Sequence, residues 1–259
     1  MSERTSYAPG TPNWVDLSTP DQDAAAEFYG PLFGWAFDEG ENPEETGGYR
    51  SAMLRDQPVG GVMKIMQEGQ PPAWSTYISV EDADATMAAV KEAGGTVMIE
   101  PMDVLDIGRM GFFVDPTGAV CGIWQPRTFA GAGLVNEPGA IAWNELNTRD
   151  PEGAKAFYGA VFGWGVTEHD MGEMGAYVEW KLGEDGIGGM LDMTGRVPDE
   201  VPPHWLTYFA VEDTDAAVAK VKELGGGVAF GPIDIMAGRF AVVHDPFGAM
   251  FAVIKMAER

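Results

Sequence analysis

The sequence predicts an α+β protein of two tandem domains, each built from two βαβββ modules. Three observations predict this class: an internal repeat of about 130 residues, the order of strand, helix and three strands that recurs within each half, and a turn with Pro and Gly before the last strand of each half. We place domain 1 at residues 1–130 and domain 2 at residues 131–259.

The repeat is visible as landmarks that return at a nearly constant distance. Trp14 returns as Trp143, and the pair Phe28-Tyr29 returns as Phe157-Tyr158, each 129 residues later. The turn at residues 115–118 returns at residues 245–248, which is 130 residues later. The offset between the repeats changes so little that it indicates small loop insertions between fixed elements. Residues 128–138, which carry turn-forming Gly and Pro, are typical of a linker.

The first module of each half opens with a strand, at residues 13–17 in the first half. The segment Thr19-Pro20-Asp21 supplies an N-cap candidate, a proline for the first helical turn and an early acid. Apolar residues at helical spacing predict a helix that follows this segment and ends at Gly34, after which strands resume.

The second module starts with a strand at residues 75–80. Asp82 is the N-cap candidate of the next helix, which we expect to end at Gly94-Gly95. Strands return near Val97 and at residues 110–114, and the Asp-Pro-Thr-Gly turn joins the last two strands as a hairpin.

Composition restricts the possible partners and compartment. The 259 residues carry 16 Lys and Arg against 40 Asp and Glu, a net charge of −24, which disfavours binding to nucleic acid. The single cysteine, Cys121, excludes an internal disulfide and predicts a reducing compartment, the cytoplasm. Residues 1–10 are polar, and no apolar run is long enough to cross a bilayer, so we expect neither export nor membrane insertion.

The Phe-Tyr pair in the first helix, the Val-x-Asp before the second helix and the Asp-Pro-x-Gly turn occur together in each half. This combination resembles the vicinal oxygen chelate superfamily, which contains glyoxalase I, bleomycin-resistance proteins and extradiol dioxygenases. The resemblance extends from Thr11 to Lys255, and the opening Gly-Thr-Pro-Asn-Trp resembles actinobacterial two-domain glyoxalase-like proteins in particular. It implies that the two modules of each domain form a cupped mixed sheet.

The resemblance also implies where a divalent metal would be bound in the cup. The first-strand position holds Trp14 in domain 1 and Trp143 in domain 2. The fifth-strand position holds Thr76 and Thr207, and the eighth-strand position holds Gly122 and Ala252. These residue types are not the His, Cys or carboxylate ligands that such metals need. We therefore expect neither a metal nor another cofactor, although a rearranged metal site stays open.

Strand alternation, started from those positions, gives the side chains expected to face the cup. The ligand-binding candidates are Trp14, Trp74, Thr76, Trp124, Trp143, Trp205, Thr207 and Phe209. Five of the eight tryptophans belong to this set. The set fits either a cleft that stacks on a flat hydrophobic ligand or a core that is filled by its own rings.

Asp16 and Glu145 are repeat-equivalent acids, each two residues after a tryptophan on an otherwise apolar strand face. If buried, their pKa values should rise, which suits a catalytic base or an anchor for a ligand. The alternative is a salt bridge or a backbone cap. Arg109 and Arg239 are the natural partners in such a salt bridge, or they form a clamp for a ligand anion.

Three functions follow from these observations. The first is a metal-free protein that binds a hydrophobic, aromatic small molecule in sequestration, resistance or secondary metabolism. The second is a lyase or oxygenase that uses Asp16 or Glu145 as a base, or a rearranged metal site. The third is an interaction protein with filled cups. We expect a monomer with paired domains or a homodimer, and neither a nucleic-acid nor a membrane partner.

Overall fold

Each half of the chain folds into one eight-stranded mixed sheet with two helices. The computed structural model describes residues 3–40, 46–65, 69–171 and 175–257. The strand orders are β2-β3-β4-β1-β5-β8-β7-β6 in domain 1 and β10-β11-β12-β9-β13-β16-β15-β14 in domain 2. Each module therefore supplies four adjacent strands, and the first strands of the two modules meet at the centre of the sheet. This confirms the predicted fold class.

The elements of domain 1 are β1 (Pro12–Thr19), α1 (Gln22–Phe33), β2 (Ala36–Asp38), β3 (Arg50–Leu54), β4 (Gln57–Lys64), β5 (Ala73–Ser79), α2 (Ala83–Glu92), β6 (Thr96–Val104), β7 (Gly108–Val114) and β8 (Val120–Pro126). Those of domain 2 are β9 (Ile141–Thr148), α3 (Pro151–Phe162), β10 (Gly165–Asp170), β11 (Ala176–Leu182), β12 (Asp185–Asp192), β13 (His204–Ala210), α4 (Thr214–Glu223), β14 (Gly227–Ile235), β15 (Gly238–His244) and β16 (Met250–Met256). The predicted linker lies between β8 and β9, and the exact boundary at residue 130 stays a prediction.

Aspartates begin the helices. The Asp21 side chain accepts hydrogen bonds from the backbone N–H groups of Asp23 and Ala24, so Asp21 is the N-cap of α1. The expectation that Pro20 lies in the first helical turn is therefore wrong, because Pro20 precedes the cap. α1 ends, as predicted, at Gly34, whose φ of 75° is the left-handed conformation that glycine adopts without strain.

Strand register defines two faces in each sheet. Cross-strand partners share a face. Trp14 pairs with Tyr77 and Asp16 pairs with Ser75 on one face of domain 1. Trp143 pairs in the same way with Tyr208 in domain 2. We call this the cup face (cup 1 in domain 1, cup 2 in domain 2), and we call the opposite face, which packs against the helices and the other domain, the helix face.

The helix faces of the two domains pack against each other. The ring of Phe33 in α1 lies 4.9 Å from that of Phe209 in β13, and the ring of Tyr29 lies 5.5 Å from that of Phe251. On the other side, the ring of Phe157 in α3 lies 5.7 Å from that of Phe113. The aromatic residues of the first helix of each domain therefore join the core of the other domain.

The repeated turn contributes to the same interface. Asp115 Oδ1 accepts three backbone N–H groups of residues 117–119, and Asp115 Oδ2 accepts the Tyr158 hydroxyl at 3.0 Å. Tyr29 donates to Asp245 Oδ2 at 3.1 Å. Both tyrosines are fully buried and belong to the core.

Candidate functional site

The cup faces do not contain all the residues that the sequence assigned to them. Because Trp14 pairs with Tyr77, the residues of β5 on the cup face are Ser75 and Tyr77. Trp74 and Thr76 therefore point to the helix face. The expectation that they line the cup is wrong, because alternation assigns faces only within one strand and the sequence does not fix the register between β1 and β5.

The same correction applies to Trp205, Thr207 and Phe209, because Tyr208 is the residue of β13 that faces Trp143. On the helix face, Trp205 Nε1 donates to the Tyr158 hydroxyl at 2.9 Å, as Trp74 Nε1 does to that of Tyr29 at 3.1 Å. The hydroxyls of Thr76 and Thr207 both donate to Asn144 Oδ1, at 3.0 and 3.3 Å. These five side chains join the two domains and cannot line a cup.

Asp16 lies at the centre of cup 1. Its side chain is 3% exposed, and Oδ2 accepts the Tyr77 hydroxyl at 2.7 Å. Oδ1 is buried and has no hydrogen-bond partner among the described residues. Burial raises the pKa of Asp16 to about 7, against the lowering effect of the Tyr77 hydrogen bond. The carboxyl group can therefore hold or release a proton near neutral pH.

Trp14 and Tyr49 lie beside Asp16 on the cup face. Trp14 Nε1 donates to the Tyr49 hydroxyl at 2.9 Å. A Cβ at Gly61 would overlap that hydroxyl, which explains why one glycine of the Gly60-Gly61 pair faces the cup. Burial raises the pKa of Tyr49 well above its ordinary value, and the charge of Asp16 raises it further.

Glu145 occupies the equivalent position in cup 2 and has more hydrogen-bond donors. Its Oε1 accepts the Tyr208 hydroxyl at 3.1 Å and Asn147 Nδ2 at 3.4 Å. Tyr177 is a third donor and in turn accepts Trp143 Nε1 at 2.9 Å. Burial raises the pKa of Glu145, while the three donors oppose the rise. Neither acid has the predicted arginine as a partner.

The two cups differ in how far they are covered. Trp14 is 5% exposed, because the ring of Phe129 packs edge-on against it at 4.9 Å. Trp124 also lies on the cup face of domain 1, as predicted, with its ring 5.9 Å from that of Phe129. Trp143 is only half-buried, and within the described ranges no aromatic ring stacks on it. Cup 1 is thus filled by its own rings, and cup 2 is more accessible.

One wall of cup 2 is aromatic. The ring of Phe240 in β15 lies 5.8 Å from that of Tyr208 and 6.0 Å from that of Phe230 in β14. Phe230 is 51% exposed. The three rings form a continuous row from the buried Glu145 to the solvent. The sequence does not indicate this row, because Phe230 and Phe240 have no regular spacing from the predicted tryptophans.

The other wall of cup 2 is polar. In β10 and β11, His169 pairs with Tyr177 across the strands, and His169 Nε2 lies 3.0 Å from Glu179 Oε2. Lys181 Nζ lies 3.8 Å from Glu179. His169 is not among the site residues predicted from the sequence. Only the register of β10 against β11 places it on the cup face.

Arg109 and Arg239 lie outside the cups. Arg109 pairs with Asp84 and Asp103 on the surface, at 3.0 and 2.8 Å. Arg239 pairs with Asp215 and Asp234 in the same way, at 2.7 and 3.1 Å. Both arginines alternate with residues of the cup face and point towards α2 or α4. The expectation that they pair with Asp16 and Glu145 is wrong, and neither can clamp a ligand in a cup.

The donor set does not fit a divalent metal. Within the part of the chain that the structure describes, no three His, Cys, Asp or Glu side chains lie close enough to hold a metal ion. Each cup centre offers one carboxyl group surrounded by tyrosine hydroxyls. First-row metals require about three ligands of the missing types.

A further groove lies away from the cups. It has a volume of about 420 Å³ and lies between the end of α1 and the start of α4, beside Pro138 and Gly139. None of the predicted site residues lines it. Within the described ranges, no helix is both long and apolar enough to cross a membrane.

Known proteins resemble this chain in sequence over nearly its whole length. Residues 11–121 and 140–253 match the family model described as Glyoxalase/Bleomycin resistance protein/Dioxygenase superfamily. "Putative glyoxylase CFP32" of Mycobacterium tuberculosis is 45% identical, with 99% of both chains covered. "Anthracycline biosynthesis protein DnrV" of Streptomyces peucetius is 37% identical, covering 98% of this chain and 96% of that protein.

Solved structures agree on the fold. The Mn(II)-bound glyoxalase of Novosphingobium aromaticivorans aligns with a TM-score of 0.67 at 17% identity, over 100% of this chain and 84% of that one. The 2,3-dioxygenase LapB of Pseudomonas sp. KL28 aligns with a TM-score of 0.67 at 14% identity, over 97% and 94%. With both repeats matched by the family model, the chain belongs to the glyoxalase/bleomycin resistance protein/dioxygenase superfamily.

Proposed function

We propose that this protein binds a hydrophobic, aromatic small molecule in cup 2, without a metal, in sequestration, resistance or secondary metabolism. The observation that carries the proposal is the set of partly exposed rings around the buried Glu145. Trp143 and Phe240 are half-buried and Phe230 is exposed, and contiguous exposed apolar side chains often mark a ligand-binding groove. A planar ligand that packs between them removes this apolar surface from water.

The polar groups of cup 2 suit a ligand that carries hydroxyl or carbonyl oxygens. A carboxylate has about four acceptor positions, and Glu145 uses three of them, so one remains for a ligand hydroxyl. The hydroxyls of Tyr177 and Tyr208 fix the orientation of this carboxylate. The relatedness to a protein named for anthracycline biosynthesis supports a polycyclic aromatic ligand.

The test is isothermal titration calorimetry with 2-(hydroxymethyl)anthraquinone, a planar neutral probe. We expect saturable binding that Trp143→Ala weakens roughly tenfold, the effect of losing one edge-to-face or stacked ring contact of about 1.4 kcal/mol. Trp14→Phe, at the equivalent position in cup 1, is the matched control and leaves the affinity unchanged. Absence of binding, or equal loss in both variants, contradicts the proposal.

The second candidate function is catalysis by a carboxyl base, as in a glyoxalase-like lyase. It is favoured by Asp16, whose pKa of about 7 and unpartnered Oδ1 suit proton transfer at neutral pH. This function requires the Phe129 ring to move away from cup 1 and admit the substrate. Turnover of a 2-hydroxy ketone or hemithioacetal that Asp16→Asn abolishes, with the fold retained, supports this function. Turnover that survives both Asp16→Asn and Glu145→Gln contradicts it.

A further inference from the structure

Phe129 is a half-buried aromatic residue of the linker that packs against two tryptophans of cup 1. Its ring meets the ring of Trp14 at 90°, with 4.9 Å between the centroids, and lies near Trp124 at an angle of 80°. Edge-to-face geometry of this kind is the preferred arrangement of two interacting rings. Phe129 thus contacts the cup as a bound aromatic molecule would.

The backbone of the linker holds this ring in place. The Phe129 carbonyl accepts Trp124 Nε1 at 2.8 Å, and the Phe129 N–H donates to the Ile107 carbonyl at 3.2 Å. Asn13 Nδ2 donates to the Ala130 carbonyl at 2.9 Å. These three bonds tie residues 129 and 130 to β1, to β8 and to the turn before β7, all at the same end of the sheet.

The next residues of the linker continue this attachment. The Ala132 N–H donates to the Asn13 carbonyl at 2.9 Å, and the Ala132 carbonyl accepts the Tyr7 hydroxyl at 2.7 Å. Gly131 has a φ of 125°, and a Cβ there would overlap the Asn13 carbonyl, so the path of the linker depends on glycine at this position. The linker is therefore fixed along one end of cup 1.

Cup 2 repeats the surroundings of Phe129 without the ring itself. Trp143 donates to Tyr177 as Trp14 donates to Tyr49, at 2.9 Å in both cups. The position of Trp124 in β8 is held in β16 by the smaller Ile254. Trp143 is half-buried, and among the described residues no ring occupies the place of Phe129.

We infer that Phe129 plugs cup 1 as a built-in ligand, and that it marks where an aromatic ring of the true ligand packs in cup 2, edge-on against Trp143. The inference rests on the proposed function and adds the stoichiometry and the pose. The wild-type chain binds one aromatic molecule, and removal of the Phe129 ring opens a second site of the same kind in cup 1.

Calorimetric titration with 2-(hydroxymethyl)anthraquinone counts the sites. We expect one site per chain for the wild type, two for Phe129→Ala, and a return to one when Trp14→Ala is added to Phe129→Ala. Phe129→Leu, which keeps an apolar plug, is the matched control and retains one site. Near-ultraviolet circular dichroism and the urea midpoint establish that each variant is folded, and Phe129→Val replaces Phe129→Ala if the latter is unfolded.

The outcomes separate this inference from the proposed function. Two sites in the wild type, or one site in a folded variant that lacks the Phe129 ring, overturn the plug while the proposed function stands. Binding to Phe129→Ala but not to the wild type overturns the proposed function of cup 2 and supports the plug. Absence of binding in both proteins overturns both.

Discussion

Replacement of Asp16 by Asn should remove a pH-dependent loss of stability. The ordinary pKa of this carboxyl is 3.8, and burial raises it to about 7 in the folded protein. Between these values the folded state binds a proton that the unfolded state has released, so the folded state loses stability as the pH rises towards 7. Asn mimics the protonated carboxyl and does not titrate, so the variant lacks this loss.

The magnitude follows from the two pKa values. A change from 3.8 to about 7 corresponds to ~4 kcal/mol at full ionisation, of which about 2 kcal/mol falls between pH 5.5 and pH 8. We therefore expect the free energy of unfolding of Asp16→Asn, relative to that of the wild type, to increase by about 2 kcal/mol from pH 5.5 to pH 8. Urea denaturation followed by tryptophan fluorescence at both pH values measures this difference.

Comparison of the two proteins at each pH cancels the contributions of the other carboxylates. An advantage of Asp16→Asn that is the same at both pH values, within about 0.5 kcal/mol, refutes the reasoning, because Asp16 would then titrate near its ordinary pKa. A loss of stability in Asp16→Asn at pH 8 refutes it as well, since the ionised carboxylate would then be stabilised in cup 1.

Three further predictions concern the same cups. Tyr77→Phe removes the hydrogen bond that lowers the pKa of Asp16, so the pH-dependent loss should continue above pH 7 in the same urea assay. Gly189→Ala places a methyl group against the Tyr177 hydroxyl and should abolish probe binding, whereas Gly61→Ala in cup 1 should leave binding intact. Both substitutions should lower the free energy of unfolding by about 1–3 kcal/mol. Dialysis against EDTA should change neither the melting temperature nor probe binding, and elemental analysis should find less than stoichiometric metal.

Much of the fold could be predicted from the sequence. The repeat of Trp14 as Trp143 and of the Asp-Pro-x-Gly turn predicts two equivalent domains, and Asp82 and Gly34 mark the start of α2 and the end of α1. The start of α1 was predicted less well, because its N-cap is Asp21, after Pro20. These signals are local, because a cap or a turn depends on a few neighbouring residues.

The site was predicted only in part. Asp16 and Glu145 are buried on the cup faces as expected, but Thr76 and Trp205 lie on the opposite face, because a shift of one residue in the pairing of β5 or β13 exchanges the two faces. Tyr177 and Phe129 were not identified, since their roles depend on pairing and linker path over long sequence distances.

The most direct test of the ligand site is fluorine NMR of protein labelled with 5-fluorotryptophan. The sequence has eight tryptophans, and the Trp143→Phe and Trp14→Phe variants assign the two resonances of interest. On titration with 2-(hydroxymethyl)anthraquinone, we predict a saturable shift of the Trp143 resonance with the Trp14 resonance unchanged, because Phe129 keeps cup 1 closed. A shift of Trp14 instead, or of neither, contradicts the assignment of cup 2 as the binding site.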